Sequence, residues 1–320
     1  MTEGSRARPT FGVDLGGTNL RTAVVDVDGA IVSQRRTTTP TTLDGIIDTI
    51  VQAVADLARD CPDARAVGVG AAGMVDRDGV VHYAPNIPPF IHSPVRALLA
   101  DATGRPVAID NDANVAALAE LTHGAAQGID DFLLVTLGTG VGGGIVIGGK
   151  VLRGAHGFAA EVGHFQVDPD GPLCACGERG HWEALASGTA LGALGRERAA
   201  AGAAPTLLAR ANGNVGAITG VLVGDAAQAG DADALAIVGD YARHVAVGLV
   251  GLANIVDPVV VLVSGGLVEL GPVLLDPLRA WFSGHLEGAR YRPPVDIVPA
   301  SLGEEAGLVG AAVLARNLDP

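Results

Sequence analysis

The sequence is short of basic residues, and of lysine above all. Its 320 residues contain 21 lysines and arginines against 35 aspartates and glutamates, a net charge of −14, and Lys150 is the only lysine. Proteins that bind nucleic acids contact the phosphates through basic surfaces. We therefore expect no nucleic-acid partner, and we interpret the acidic balance as a solvated surface.

Long apolar runs are also missing, although 48% of the residues are hydrophobic. Alanine, valine and leucine occur in short runs, and none approaches the roughly 20 apolar residues that span a bilayer. The first ten residues, MTEGSRARPT, lack the apolar core of a secretion signal. The sequence thus predicts no membrane partner and a cytoplasmic location.

Three cysteines are too few for a disulfide framework. Cys61 lies in an Arg-Asp-Cys-Pro turn, and we interpret it as structural. Cys174 and Cys176 lie two residues apart in a loop with glycine and proline, near His164 and His181. This spacing indicates metal binding rather than redox chemistry.

The predicted elements form two similar α/β halves. The first half has strands at 11–17, 21–27 and 30–37, a helix at 43–59, strands at 66–71 and 106–109, and a helix at 113–122. The second half has strands at 131–137, 141–147, 150–153 and 258–263, and helices near 184–200, 231–255, 271–287 and 304–316. Each half opens with a hairpin whose first turn is made of glycine and threonine. We predict duplicated lobes with an ATP site in a cleft between them.

Both hairpin turns are candidate phosphate sites. The residues are Asp14, Gly16, Gly17 and Thr18 in the first half, and Gly138, Thr139 and Gly140 in the second. Such turns offer backbone N–H groups and a hydroxyl to phosphate oxygens without a Cβ in the way. The carboxylate of Asp14 suits a hydrated Mg²⁺ ion. A plain tight turn is the alternative for either motif alone, but their equivalent positions favour phosphate binding.

A third small-residue element follows the predicted strand at 258–263. Gly265 and Gly266 at its end would either admit a nucleotide face closely or allow the next helix to pack tightly.

Two other nucleotide-binding motifs match the sequence pattern but not the structural context that they require. Residues 138–143 fit the dinucleotide fingerprint G-x-G-x-x-G, with Glu161 about 20 residues later, but that fingerprint must open a helix and this segment is predicted to be a strand. Residues 144–150 fit the core of a P-loop, but Val151 stands where a serine or threonine would bind magnesium. We expect neither site.

Four motifs together resemble the ROK family of bacterial sugar kinases and repressors, within the actin/hexokinase-like (ribonuclease H-like) ATPase fold. They are Asp14-Leu15-Gly16-Gly17-Thr18, Ile109-Asp110-Asn111-Asp112-Ala113-Asn114, Leu137-Gly138-Thr139-Gly140-Val141-Gly142-Gly143, and Glu161-Val162-Gly163-His164 leading to Cys174-Ala175-Cys176-Gly177. The resemblance covers almost the whole chain and implies a homodimer or homotetramer. We predict a small lobe of residues 1–117 plus 303–320, and a large lobe of residues 118–302 with the zinc loop and nucleotide contacts.

The resemblance implies a role for each matching residue. Asp112 matches the catalytic base, and Asn111 matches its sugar-binding neighbour. The other implied sugar contacts are Glu161, His164, Glu183, Gly73 and Asn86. Carboxylates, an amide and an imidazole supply the acceptors and donors that a ring of sugar hydroxyls requires. Capping of the following helix is the alternative role for Asp112.

The zinc loop departs from the family pattern at its last cysteine, which is replaced by His181. Imidazole is also a good zinc ligand, so the resemblance with this change implies a Cys2His2 site made of His164, Cys174, Cys176 and His181. A loop that folds without metal is the alternative.

The implied activity is transfer of the γ-phosphoryl group of ATP to the 6-hydroxyl of a hexose, with Mg²⁺ and a structural Zn²⁺. Glucose is preferred because Glu161-x-x-His164 with Glu183 resembles the family's glucokinases. Kinases for N-acetylmannosamine, fructose, mannose or allose share much of the pattern, and polyphosphate is an alternative donor. A sugar-responsive repressor would carry a helix-turn-helix segment before the first motif, and only 13 residues precede Asp14. A chaperone-like or cytoskeletal ATPase would not need the predicted sugar contacts.

Overall fold

The structure, a computed structural model, describes residues 8–316 and residue 318. These residues fold as two compact units. Unit 1 contains the described residues up to Asp130, residues 144–160 and the described residues from Ala300 onward, and unit 2 contains residues 131–143 and 161–299. The expected lobes, 1–117 with 303–320 and 118–302, divide the chain at other positions and stay a prediction.

Strands and helices follow one another along residues 8–316 in two similar series. The strands are β1 (Thr10–Leu15), β2 (Asn19–Val25), β3 (Ile31–Thr38), β4 (Val67–Ala71), β5 (Met74–Val75), β6 (Val81–Tyr83), β7 (Val107–Asn111), β8 (Phe132–Leu137), β9 (Val141–Ile147), β10 (Lys150–Val151), β11 (Val260–Ser264) and β12 (Asp296–Pro299). The α-helices are α1 (Leu43–Asp60), α2 (Val95–Thr103), α3 (Asp112–His123), α4 (Glu183–Ala186), α5 (Gly188–Ala200), α6 (Pro205–Arg210), α7 (Gly220–Gln228), α8 (Ala232–Val256), α9 (Pro272–His285) and α10 (Ala306–Arg316). Short 3-10 turns lie at Pro88–Phe90, Val162–His164, Val215–Ala217, Gly266–Leu270 and Gly303–Glu305.

Two five-stranded sheets have the same plan. The first has the order β3-β2-β1-β4-β7, and the second has the order β10-β9-β8-β11-β12. In the first sheet β1, β2 and β3 are antiparallel neighbours, while β4 and β7 continue parallel to β1. In the second, β11 and β12 continue parallel to β8 in the same way. The predicted duplication of an α/β fold is confirmed.

The first sheet is covered by helices on both faces. Phe11, Val13 and Leu15 of β1 are buried in one cluster with residues of α1 and α2. On the opposite face α10 packs against the glycines Gly12 of β1 and Gly68 of β4, where any Cβ would clash with the helix backbone. Small residues therefore allow α10 to approach the sheet, which brings its N-terminus next to the end of β1.

Helix α1 illustrates how the sequence determines an element. Its apolar residues recur at helical spacing and are buried, from Ile46 to Leu57, and Thr42 caps it by accepting a hydrogen bond from the N–H of Gly45 at 3.2 Å. The prediction of a helix at 43–59 is confirmed.

Several predicted boundaries are wrong. The single helix expected at 184–200 is two helices, because Ser187 ends α4 and caps α5 by accepting from the N–H of Ala190 at 3.2 Å. The strand expected at 150–153 has only two residues. Helices α2, α6 and α7 were not predicted; each has nine residues or fewer, which leaves little room for a helical apolar repeat.

Helix α8 is the long central helix of unit 2. By length and composition it is the one helix within residues 8–316 that could cross a membrane, but half of its apolar stretch is buried by the rest of the protein. Burial of this kind is what a core helix of a folded unit requires.

Candidate functional site

Asp112 is the first residue of α3, directly after β7. The cap of α3 is its neighbour Asn111, whose Oδ1 accepts from the N–H groups of Ala113 at 2.8 Å and Asn114 at 3.2 Å. Asp112 itself accepts only from the adjacent N–H of Ala113, at 2.9 Å. Since Asn111 already caps the helix, the carboxylate of Asp112 is left for another role.

Asp112 is half-buried, so its carboxyl has lost part of its hydration while some of its surface stays accessible. Burial raises the pKa of this carboxyl above its usual range, and the negative charge of Asp14 raises it further. A raised pKa makes the carboxylate a stronger base.

The carboxylate of Asp110 organises the segment around Asp112. It is 6% exposed, and its Oδ1 accepts from the N–H of Asn111 at 2.8 Å and from Nδ2 of Asn114 at 2.9 Å. Its Oδ2 accepts from Nε of Arg153 at 2.6 Å. Arg153 therefore neutralises a buried charge two residues before the candidate base, a role that the sequence analysis missed.

Two further sugar-binding candidates lie in unit 1. Nδ2 of Asn111 donates to the carbonyl oxygen of Gly73 at 3.0 Å, so these two residues are in direct contact. Asn86 lies against the first glycine turn, because a Cβ on Gly17 would come within 2.6 Å of the Asn86 carbonyl oxygen. The structure thus brings Gly73 to the Asp112 segment and Asn86 to the turn between β1 and β2.

Asp14 stands at the end of β1, beside that turn. Arg21 forms an ion pair with Oδ2 of Asp14, and its Nε donates at 3.0 Å. Oδ1 accepts no hydrogen bond from residues 8–316. Gly307, near the start of α10, lies directly against the carboxyl, since a Cβ on this glycine would be 2.8 Å from Cγ of Asp14. One carboxylate oxygen beside a helix N-terminus suits a hydrated Mg²⁺ ion and its phosphate ligands.

The candidate zinc ligands lie together in unit 2. His164, Cys174, Cys176 and His181 each offer one ligand atom, and these atoms all lie within 4.8 Å of one another. Sγ of Cys176 is 3.2 Å from Nδ1 of His181, and Sγ of Cys174 is 3.9 Å from Nδ1 of His164. Ligand atoms around a tetrahedral zinc ion are about 3.3–3.8 Å apart.

The donor set fits zinc in chemistry as well as in spacing, because thiolates and imidazoles are the usual zinc ligands. Burial raises the pKa of the Cys174 thiol to about 11 when no metal is bound. A metal ion would have to displace this proton, so zinc binding by the loop is coupled to proton release.

Glu183 links the zinc loop to the second glycine turn. Its Oε2 accepts from the N–H of Val141 at 3.0 Å, and its Oε1 accepts from the thiol of Cys174 at 3.4 Å. A Cβ on Gly140 would clash with the same carboxylate. Both oxygens are engaged inside the protein, so Glu183 supports the turn, and its direct contact with sugar stays a prediction.

Glu161 and His164 flank the 3-10 turn Val162–His164. The N–H of His164 donates to the carbonyl of Glu161 at 3.1 Å, and the Glu161 residue is exposed. His164 faces Cys174 through Nδ1, so it belongs to the candidate metal cluster, and its ring keeps Nε2 for another partner. Their predicted roles toward sugar stay predictions.

A cavity of about 720 Å³ lies within unit 2. Its walls are residues of the second glycine turn, α5, α7 and the turn after β11: Gly138, Thr139, Gly188, Thr189, Gly192, Arg196, Thr219, Gly220, Val221, Gly224, Asp225, Gln228, Gly266, Leu267, Glu269 and Leu270. Gly188 N–H donates to the Gly138 carbonyl at 2.7 Å, and the Thr189 hydroxyl donates to the Thr139 carbonyl at 2.9 Å. The cavity is large enough for a nucleotide.

Comparison with known proteins is consistent with this geometry. The sequence pattern described as "ROK family" matches residues 10–318. The chain belongs to the ROK family. It is 44% identical over 314 residues to a glucokinase of Streptomyces coelicolor, covering 97% of this chain and 98% of the relative. It is 35% identical over 310 residues to a glucokinase of Thermotoga maritima, covering 96% and 97%.

A solved structure is similar over the same length. The ROK family glucokinase from Streptomyces griseus in complex with glucose and AMPPNP has a TM-score of 0.84 and 45% identity, and the match covers 97% of this chain and 99% of that one. The predicted ROK membership and the actin/hexokinase-like α/β fold are therefore confirmed.

In this ROK-family chain, only some of the predicted nucleotide-binding residues of unit 2 line the cavity. Gly138, Thr139 and Gly266 line the cavity, whereas Gly140 and Gly265 are their chain neighbours outside its lining. The residues that sequence reasoning missed lie on α5, α7 and the turn after β11: Arg196, Thr219, Asp225, Gln228 and Glu269. They belong to no recognisable motif. A correct prediction of helix α7 would have drawn attention to those that lie on it.

Proposed function

We propose that this ROK-family protein is a glucokinase, which transfers the γ-phosphoryl group of ATP to the 6-hydroxyl of glucose. The observation that carries the proposal is Asp112, a carboxylate that does not cap its helix, pairs with no cation within residues 8–316 and has a raised pKa. A general base for a sugar hydroxyl needs these properties. The similarity to glucokinases over nearly the whole chain supports glucose as the acceptor.

In the proposed reaction, Asp112 accepts the proton of the 6-hydroxyl as the sugar oxygen attacks the γ-phosphorus. The bond from the γ-phosphorus to the β,γ-bridging oxygen breaks, and ADP leaves. Phosphoryl transfer has a loose transition state, so positioning and charge stabilisation supply most of the catalysis. Asn111 holds Asp112 at the helix start and keeps its amide toward Gly73, which restricts the freedom of the base.

The two glycine turns bind the polyphosphate chain in this proposal. The turn of Gly16, Gly17 and Thr18 and the turn of Gly138, Thr139 and Gly140 offer backbone N–H groups to phosphate oxygens, except those of Gly16 and Gly138, which donate to carbonyls of their own turns at 3.0 Å. Asp14 is the carboxylate that would hold Mg²⁺ through coordinated water, and the ion would supply positive charge to the phosphates. The nucleoside occupies the cavity of unit 2, where Gly266 leaves room beside it.

Zinc has a structural role. His164, Cys174, Cys176 and His181 would hold it, and the ion would fix the loop that begins at Glu161. Glu161 and the free nitrogen of His164 then bind sugar hydroxyls with a defined orientation, because a histidine held through one ring nitrogen cannot turn. The protein works as a homodimer or homotetramer in the cytoplasm, where ATP is available.

A sugar panel tests the acceptor. Initial rates with ATP and Mg²⁺ are measured for glucose, N-acetylmannosamine, fructose, mannose and allose, and product is assayed as sugar phosphate. We expect the highest kcat/KM with glucose. The same panel with polyphosphate in place of ATP tests the donor, and we expect ATP to be preferred. A higher kcat/KM for another hexose would replace glucose in the proposal, and no sugar phosphate at all would contradict it.

A further inference from the structure

Glu120 is a buried carboxylate on the helix that begins with the candidate base. It lies about two turns after Asp112 in α3, and it is fully buried. It forms no ion pair within residues 8–316. A buried charge is unfavourable unless hydrogen bonds satisfy it, so the groups that donate to Glu120 are held to it firmly.

The donors come from two separate stretches of chain. Oε2 of Glu120 accepts from the N–H of Ala125 at 2.7 Å, and from the N–H and the hydroxyl of Ser301, both at 3.2 Å. Oε1 accepts from the N–H of Leu302 at 2.8 Å. The chain just after α3 and the chain just before α10 therefore meet at one side chain of α3.

The segment that Glu120 holds leads directly into α10. Residues 301–302 are followed by the 3-10 turn Gly303–Glu305 and then by α10. Gly310 of α10 lies against α3, since a Cβ on this glycine would clash with the carbonyl oxygen of Val115. Glu120 therefore fixes the entrance of a helix that packs against its own.

Arg21 joins the same segment to Asp14. Its Nη2 donates to the carbonyl oxygen of Glu304 at 2.6 Å, while its Nε donates to Oδ2 of Asp14 at 3.0 Å. A guanidinium group is planar and presents its N–H donors in a fixed geometry, so Arg21 relates the position of Asp14 to that of Glu304. Gly307 of α10 lies against the same carboxyl of Asp14.

We propose that Glu120 is a positioning residue for phosphoryl transfer. Through residues 301–304 and Arg21, it holds Asp14, the candidate magnesium carboxylate, in a fixed position relative to Asp112 at the start of its own helix. The inference rests on the proposed kinase function, in which the phosphates and the base must be aligned, because a small displacement of reacting groups lowers the rate. Glu120 is buried, so it acts through these contacts rather than on a substrate.

Glu120→Gln tests the proposal, because the amide keeps the shape of the side chain but replaces one accepting oxygen with a donating NH2 group. Calorimetry measures binding of ADP with and without Mg²⁺, and binding of glucose without nucleotide. We expect Mg²⁺·ADP binding to weaken by about three- to tenfold, and binding of metal-free ADP and of glucose to change by less than about twofold. In turnover, kcat should fall while KM for glucose stays unchanged.

Thr10→Val is the matched control for a loss of packing. The Thr10 hydroxyl is buried and donates to the carbonyl of Ala312 at 2.7 Å, so this variant also removes a hydrogen bond to α10, but far from the entrance of that helix. We expect a lower melting temperature and an unchanged affinity for Mg²⁺·ADP.

Arg21→Lys tests the route by which Glu120 acts, and it tests the proposal even if Glu120→Gln does not fold. Lysine keeps a cation beside Asp14 but lacks the planar fork that also contacts Glu304. We expect Arg21→Lys to weaken Mg²⁺·ADP binding by a similar factor. Glu120→Gln should have little further effect when it is added to Arg21→Lys, because the two residues act through one segment.

The inference is overturned if Glu120→Gln, or Arg21→Lys alone, leaves the affinity for Mg²⁺·ADP unchanged. It is also overturned if Glu120→Gln weakens Mg²⁺·ADP, metal-free ADP and glucose alike, as a general loss of structure does, or if the effects of the two variants simply add. Failure of the proposed function gives a different result, namely that the parent protein forms no sugar phosphate.

Discussion

The two sheets of the molecule share one strand order but carry different candidate functional residues. In unit 1 an ion pair between Asp14 and Arg21 lies beside the turn after β1. Strand β7, the last in the order of that sheet, leads directly to Asp112 at the start of α3. In the second half the turn after β8 is supported by Glu183, which also contacts a cysteine of the metal cluster. Each sheet presents a glycine turn, which is a candidate phosphate site. The candidate base belongs to one half and the candidate metal loop to the other.

The largest predicted effect is the loss of kcat when the candidate base of unit 1 is replaced. Asp112→Asn should lower kcat by about 10²- to 10⁴-fold, because an amide cannot accept the sugar proton. Helix α3 should remain intact, since Asn111 provides its cap. The measurement is kcat together with the melting temperature and glucose affinity. A variant that keeps near-normal kcat would contradict the assignment of the base.

Removing the metal tests the special feature of unit 2. Purified protein should contain about one zinc ion per chain, measured by elemental analysis. His181→Ala should weaken zinc retention and reduce kcat/KM for glucose by about 10- to 100-fold, because His164 loses its fixed orientation. His181→Cys should bind zinc at least as well as the parent, and Cys61→Ser serves as the control outside the cluster. Protein without zinc, when prepared without chelator, would refute the metal site.

Matched glycine substitutions ask whether both turns bind phosphate. A Cβ on Gly138 meets nothing within 4 Å, and a Cβ on Gly16 comes only within 3.4 Å of the Asn19 carbonyl. Gly138→Ala and Gly16→Ala should therefore fold normally, yet the added methyl group would obstruct phosphate. We expect KM for ATP to rise several-fold to about tenfold in both, with glucose affinity little changed. An effect in one variant alone would mean that the two turns are not equivalent.

Gly17 and Gly140 are less suitable for that test, although the sequence motifs suggest them first. A Cβ on Gly17 would come within 2.6 Å of the Asn86 carbonyl, and one on Gly140 would clash with Glu183. Substitution there would disturb sugar-binding candidates and the support of the turn at the same time.

The smallest predicted effect concerns Arg153. Arg153→Met leaves the buried carboxylate of Asp110 without its cation and should lower the free energy of unfolding by about 1–3 kcal/mol. Because Asp110 holds the Asn111–Asn114 segment, we expect a several-fold lower kcat/KM for glucose, partly restored in Arg153→Lys. Arg105→Met is the control: it loses a hydrogen bond to Ala64 and a contact with the Phe11 ring, also in unit 1. Equal kinetic losses in both variants would indicate a purely structural role.

The sequence predicted the repeated elements better than the supporting ones. The glycine turns, the Asp112 segment and the cysteine loop are local motifs, and each appears where it was expected. Arg153 and Asp110 are 43 residues apart, and Glu183 meets Val141 across 42 residues. Such contacts depend on tertiary packing that no local pattern encodes. Helix α7 was missed for a related reason, since its packing surface contains glycine and alanine rather than large apolar residues.

The central claim is that Asp112 is the base and that its pKa is raised by burial and by Asp14. It is tested most directly by the pH dependence of kcat/KM for glucose at saturating ATP. The base must be ionised to act, so activity is lost as pH falls through its pKa. We predict an acid limb with an apparent pKa clearly above the ordinary aspartate value of about 3.9, and no such limb in the residual activity of Asp112→Asn. An acid limb at the ordinary value, or one that persists unchanged in Asp112→Asn, would contradict the account.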